Sequence, residues 1–319
     1  MVEHDNRQIA KKYAEYLTRD ELRRYTANKV RQYVVGRPTI FDGAIGSGQL
    51  EQYVNAIKIY AVEIQNSACR ALSENFKNVD VENKSFFNYD RADVLVDCVI
   101  MNPPFSLSFK ELSEEEQKNI QSDFEWKKSG KVDDIFVLKS LKYTKRYGFY
   151  ILFPGLSYRK TEEKFRKEIG FNLSELNVIK NAFDNTSIDV MFIVIDKDKT
   201  TAELKKEIYD CRTKNIIYQE ECKLNEKFEW LLPVKEEEKE EVDIDKVNKE
   251  LNDMLLDHIK RSLEKNIMLV EVFQADIDVL GLIKNIKKIC VESEKKFKNL
   301  SLISENKKVE IDKNQLALF

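Results

Sequence analysis

Asn102-Pro103-Pro104-Phe105 follows directly on the apolar run DVLVDCVIM. Two consecutive prolines stop a strand and hold the backbone extended, with little entropy left to lose. The side-chain carbonyl of Asn102 and the main-chain carbonyl of Pro103 are then two convergent acceptors at one strand end. Such a pair suits an amino group whose lone pair is delocalised into an aromatic ring. Holding both of its hydrogens favours the pyramidal geometry and turns the lone pair towards an electrophile, with no general base needed before attack. Phe105 adds a flat face on which a planar ring can stack. The plain alternative for the tetrapeptide is a rigid turn with a core phenylalanine.

A second group lies upstream. In FDGAIGSG, Asp42, Gly43, Ala44, Gly46 and Gly48 follow a short apolar run, TIF. At the carboxyl end of a parallel strand, a loop poor in Cβ atoms lets a ligand approach the backbone. The Lys-Ser/Thr of a phosphate loop is missing, so a pyrophosphate is a poor fit. Asp42 suits a positively charged ligand instead. Glu63, at the end of IKIYAVEI and about 20 residues further on, can accept two hydrogen bonds from a ribose diol. A tight turn with a surface glutamate is the competing explanation.

These residues need a scaffold that brings strand ends together. Apolar runs at TIFDG, IKIYAVEI, DVLVDCVIM, GFYILFP, LNVIKNAF and VMFIVIDKD alternate with the helical stretches QLEQYVNAI, NSACRALSENF, DDIFVLKSLKYTKRY and KTEEKFRKEIG. That alternation predicts an α/β, doubly wound, mostly parallel sheet, with a hairpin near 208–211 and 216–219. Residues 6–35 read as helices. The charge run KEEEKEE separates this region from two long amphipathic patterns after it. The expected division is 1–36 as an N-terminal helical segment, 37–232 as the catalytic domain, 233–300 as a helical accessory region and 301–319 as a flexible tail.

The formal net charge of -3 gives no global basic field, so a nucleic-acid face would be local. Lys110, Lys127, Lys128 and Lys131 are candidates for it. Five cysteines without a C-x-x-C pair, only two histidines, a polar amino terminus and no apolar run of membrane-spanning length argue against a metal site, a signal peptide and a membrane span. A cytoplasmic location is expected.

Taken together, FDGAIGSG, NPPF, RRYTANKV, DDIFVLKSL, GFYILFPGLSYRK and AFDNTSIDVMFIVIDKD resemble, in order, N6-adenine DNA methyltransferases. The likeness is strongest to the modification subunits of type I restriction systems. It covers roughly residues 25–199. The resemblance implies a seven-stranded Rossmann-like methyltransferase sheet and S-adenosyl-L-methionine as methyl donor. It also implies transfer to the N6 amine of a flipped adenine in DNA. Donor contacts would come from Tyr25, Thr26, Asp42, Gly43, Ala44, Gly46, Gly48, Glu63, Ile64 and Asn102, and catalysis from Asn102, Pro103, Pro104 and Phe105. Gly43 stands where the family has proline, which should loosen the loop. SFFNYD replaces the family's acidic contact to the donor adenine, which points to Phe86 or Phe87 for packing and to Asn88 or Asp90 for hydrogen bonding.

Gln315, Leu316, Leu318 and Phe319 resemble a bacterial sliding-clamp binding motif, a weak anchor that would raise local concentration at replicating DNA. DNA, that clamp, a specificity subunit and a second copy are the expected partners. RNA guanine and protein glutamine are alternative substrates, because similar Asn-Pro-Pro-aromatic loops serve both. A non-catalytic binding protein built on the same fold is a third reading.

Overall fold

A strand that is apolar at nearly every residue must be covered on both faces, and the central strands of this protein are. The computed structural model describes residues 18–105, 107–183, 188–234, 244–273 and parts of 278–295. Nine strands form one sheet: β1 (Thr39–Asp42), β2 (Lys58–Glu63), β3 (Val79–Asn83), β4 (Val96–Met101), β5 (Thr144–Leu152), β6 (Leu173–Lys180), β7 (Val190–Asp196), β8 (Glu203–Asp210) and β9 (Asn215–Lys223). Their spatial order is β3-β2-β1-β4-β5-β7-β6-β8-β9. The ladders from β3 through β5 are all parallel, β7 runs antiparallel to both β5 and β6, and β8 returns parallel to β6. The sheet has nine strands instead of the expected seven because the hairpin β8–β9 continues it.

Among the described residues, six α-helices accompany this sheet: α1 (Asp20–Tyr33), α2 (Asn66–Asn75), α3 (Glu114–Asp123), α4 (Asp133–Ser140), α5 (Gly155–Tyr158) and α6 (Glu163–Ile169). Alternate strand residues face opposite layers. Ile40, Ile59, Cys98, Ile100, Phe149 and Phe192 pack with Leu22 and Val30 of α1 and Leu72 of α2. Phe41, Val62, Val99, Met101, Tyr150 and Ile193 pack on the other face with Ile135 and Phe136 of α4 and Phe165 of α6.

Two expected helices are corrected. QLEQYVNAI forms successive tight turns, with Gln52 N donating to Gln49 O and Val54 N to Glu51 O. Arg23 of α1 holds these turns by donating to Gln49 Oε1 at 2.7 Å and Gln52 Oε1 at 3.1 Å, and Asn55 ends them with φ 54°. No helix amino terminus therefore follows the glycine loop directly. DDIFVLKSLKYTKRY is helical through α4 and a 3-10 turn at Leu141–Tyr143, and its TKRY opens β5, drawn into the ladder opposite Val96.

The chain divides into two compact units, Met1–Glu237 and Glu238–Phe319. Helix α1, which the sequence sets apart with residues 1–36, belongs to the first. It is tied to the sheet by a buried polar network. Lys29 Nζ lies 2.6 Å from Glu175 of β6 and 3.0 Å from Glu207 of β8. The Tyr25 hydroxyl donates to Glu207 and the Tyr33 hydroxyl to Glu175. The second unit contains α7 (Ile244–Phe273), a 30-residue helix with exposed Leu251, Leu255, Ile267 and Phe273.

Removing one partner of a buried ion pair leaves uncompensated charge. Lys29→Met, which strands two carboxylates, should cost about 3–5 kcal/mol in denaturant unfolding. Arg24→Ala, which breaks the exposed pair with Asp20, should cost less than about 1 kcal/mol.

Candidate active site

The carboxyl ends of β1, β2 and β4 open into one cavity of about 740 Å³. Parallel register puts them there: Asp42 pairs with Ala61, and Ile40 and Phe41 pair with Cys98 and Val99. Asp42, Glu63 and Asn102 therefore reach the same edge, and all three line the cavity, with Gly43, Ala44, Gly46, Ile64, Phe87 and Pro103 to Phe105.

Asn102 is held at one end. Its Nδ2 donates to Thr18 Oγ1 at 3.3 Å, while its Oδ1 is buried and has no hydrogen-bond partner. A buried carbonyl without a donor costs about 1–3 kcal/mol unless a ligand satisfies it. The amide is thus oriented with its acceptor available to whatever enters. Thr18 is fixed in turn by a bridge to Phe183, and Arg19 N donates to Ala182 O. The Phe105 ring packs on Phe183, with centroids 6.2 Å apart.

Around the glycine loop, Asp42 Oδ1 accepts from Ala44 N at 2.7 Å. Glu63 Oε2 accepts from Gly46 N at 2.8 Å and its Oε1 from Gln65 N at 2.7 Å. Gly46 has φ 58°, where a side chain is strained. A Cβ on Gly43 would come within 2.7 Å of the Phe86 ring. Glycine at 43 therefore does more than loosen the loop, because it admits Phe86 against β1.

Phe86 and Phe87 form one wall, stacked and edge-on against Phe136 of α4 at 5.3 and 4.8 Å. Lys139 Nζ, also on α4, donates to Phe87 O at 3.0 Å, and burial pushes this lysine down to about 8. Ser85 hydrogen-bonds Glu116 of α3 across the rim. Inside, carboxyl groups dominate. Asp42 is raised well above the usual range by burial and then by Glu51, and Glu51 is itself pushed up to about 7 by burial.

The family model described as N-6 DNA Methylase matches residues 2–254. The chain belongs to the N-6 DNA methylase family. No curated protein matches it. Among solved structures it is similar to the methyltransferase subunit of a type I restriction-modification system from Streptococcus thermophilus, at 18% identity and TM-score 0.53, over 63% of this chain and 49% of that one. It is also similar to a chain from a structure of type I R-M complex assembly, at 13% identity and TM-score 0.57, over 85% of this chain and 68% of that one. A candidate class I S-adenosylmethionine-dependent methyltransferase from Listeria monocytogenes gives 14% identity and TM-score 0.52, over 61% of this chain and 65% of that one. At these identities the likeness is one of fold. The chain spans about half the length of the Streptococcus thermophilus subunit.

In this N-6 DNA methylase not every residue expected at the donor site reaches it. Tyr25 lies in the core, packed on Phe192 and Tyr209, because its hydroxyl belongs to the Glu207–Asn177 network. Thr26 turns back to donate to Leu22 O at 2.9 Å within α1. Gly48 lies against Leu72 and Phe76. The Asn88 carbonyl is taken by Asn119 of α3, and Asp90 is exposed. Of the lysines, Lys131 lines the cavity, Lys110 and Lys128 are exposed, and Lys127 is buried against Asp134 at 2.5 Å, which removes it from any DNA face. The clamp-like residues 315–319 lie outside the described residues.

Thr18, Gln49, Leu50, Ser85, Glu111 and Glu116 also line the cavity. Glu111 and Glu116 carry a local signal, since each closes a Ser-x-x-Glu capping box with Ser108 or Ser113. Thr18 carries none, being separated from the glycine loop by all of α1.

Asp133, at the start of α4, has neither carboxylate oxygen hydrogen-bonded, and burial followed by the neighbouring Asp134 raises it to about 7. An acid raised in the folded state contributes stability below its unfolded value, and that contribution is lost as pH rises through the folded one. Stability should therefore fall between about pH 4 and pH 7. Asp133→Asn should flatten this slope and gain about 1–2 kcal/mol over wild type at pH 8 in urea unfolding, with little gain at pH 4.

Proposed function

We propose that the protein transfers a methyl group from S-adenosylmethionine to the N6 amine of an adenine turned out of DNA. The observation that carries this reading is the buried, unpartnered Oδ1 of Asn102 at the edge that also holds Asp42 and Glu63. The donor fits the residues present. It carries a sulfonium and an ammonium, and the carboxyl groups of Asp42 and Glu63 line the cavity. Glu63 would hold the ribose hydroxyls, while Phe86, Phe87 and Ile64 would pack on the adenine of the donor. When bound, S-adenosylmethionine supplies an electrophilic methyl on a positively charged sulfur.

The chain's own residues position the acceptor. Asn102 Oδ1 and the Pro103 carbonyl accept the two amine hydrogens, and Phe105 stacks on the extruded base. So held, the amine lone pair would be turned towards the methyl that the donor would supply, and the surplus proton would be lost to water. Thr18 Oγ1 accepts the Nδ2 hydrogen bond, and Asn102 Oδ1 is left for the amine. Family membership favours DNA over RNA or protein, and a specificity subunit or a second copy would supply sequence recognition.

Tritium transfer from labelled donor to DNA, RNA and protein fractions separates these substrates. DNA should be labelled, with the label in N6-methyladenine. Asn102→Ala should lower the transfer rate at least about 100-fold with donor affinity within about threefold of wild type. Label in RNA or protein alone would overturn the assignment of DNA, and an active Asn102→Ala variant would remove the mechanism.

A further inference from the structure

Glu51 has no place in the chemistry above, yet it is among the most buried charged residues in the molecule. It is 2% exposed, and neither carboxylate oxygen has a hydrogen-bond partner. It sits in the tight turns that replace the expected helix, directly behind Asp42, which is 1% exposed and lines the cavity. The two carboxyl groups face each other. Both are acceptors when ionised, so they can meet at hydrogen-bonding distance only with a proton between them.

Among the described residues, no cation is among the groups that act most on the pair. From β2, Glu63 adds a third carboxyl that acts on Asp42. From β5, Tyr150 presents a phenol that is itself raised by burial and by Asp42, with its hydroxyl engaged by Ser140. From α1, Arg23 reaches the same turns but is bound to Gln49, Gln52 and the Thr18 carbonyl. A buried acid pair of this kind is held neutral or singly charged by its proton until a cation arrives.

We propose that Glu51 is a positioning residue which, acting through Asp42, makes the cavity take up the ammonium group of its ligand in exchange for the proton the two carboxyls share. The proposal rests on reading the cavity as the methyl-donor site. Proton and ammonium compete for one place. With the proton present, Asp42 offers an ammonium little; with the ammonium present, both carboxyls ionise and the pair is matched. The sign follows: affinity is weak where the pair is protonated and strengthens as pH rises, levelling off once the free pair has lost the proton. Burial raises Glu51 to about 7 and raises Asp42 well above its usual range, with the Glu51 charge adding to it, so the shared proton is held through the neutral range and leaves above it.

The test is calorimetric binding to the full-length protein in two buffers of different ionisation enthalpy. The probes are S-adenosylmethionine, S-adenosylhomocysteine (ammonium kept, sulfonium absent) and 5′-methylthioadenosine (neither present). The first two should release about one proton, and their Kd should tighten about tenfold per pH unit below the titration of the pair. Methylthioadenosine should release none. Glu51→Gln should release less than the wild-type proton on binding S-adenosylmethionine and show a shallower pH profile, because the Glu51 charge no longer adds to the burial of Asp42, while Asp133→Asn, which removes a different buried acid, should keep the exchange.

If S-adenosylmethionine binds without proton release, or Glu51→Gln retains full release, the exchange is disproved while the donor site stands. If S-adenosylmethionine fails to bind at any pH, the donor site falls and the exchange with it. Should Glu51→Gln fail to fold, the wild-type contrast between homocysteine and methylthioadenosine ligands decides alone: equal release from both overturns the proposal.

Discussion

The site depends on one constraint, the parallel pairing of β1 with both β2 and β4. Parallel strands point their carboxyl ends the same way, so residues far apart in sequence end at one edge. Asp42, Glu63 and Asn102 are each the last residue of a buried strand or the first beyond it. The strands behind them are covered on both faces, so these three groups ride on the least deformable part of the fold. A shift of one residue in any of the three strands would carry its terminal polar side chain off the shared edge and to the opposite face of the sheet.

A second feature is electrostatic. The cavity gathers carboxyl groups under burial and leaves the Asn102 acceptor without a donor. Both arrangements disfavour the free protein. Under the proposed function both would be preorganisation, with polar groups set in advance for a cationic ligand and an amine. The stability given up at the cavity is offset elsewhere, in the apolar layers on either side of the sheet and in the network that locks α1 to β6 and β8.

That network also has a positional consequence. By fixing α1 across the sheet, it brings the segment before the helix to the cavity, where Thr18 bridges Phe183 and receives the Asn102 hydrogen bond. Arg23, one turn into the helix, bonds the turns that carry Glu51. One helix thus braces the Asn102 side chain and the wall behind Asp42.

The sequence by itself was enough to locate the glycine loop, Glu63 and the Asn-Pro-Pro-Phe loop, because strand ends, prolines and glycines leave local marks that need no partner to be read. It was enough too for the α/β alternation, since apolar runs and helical spacing are properties of short segments. What tertiary structure decided is where contacts across the fold override local preference. QLEQYVNAI has a helical pattern but is held in turns by Arg23 from another element. Tyr25 has the position of a donor contact but is drawn into the core by Glu207, 182 residues away. Glu51 looks like a helix-surface glutamate and becomes a buried partner of Asp42. Burial and charge pairing are sums over neighbours that only the folded chain brings together, and for that reason the acidity of the cavity is a property of the fold and not of any motif.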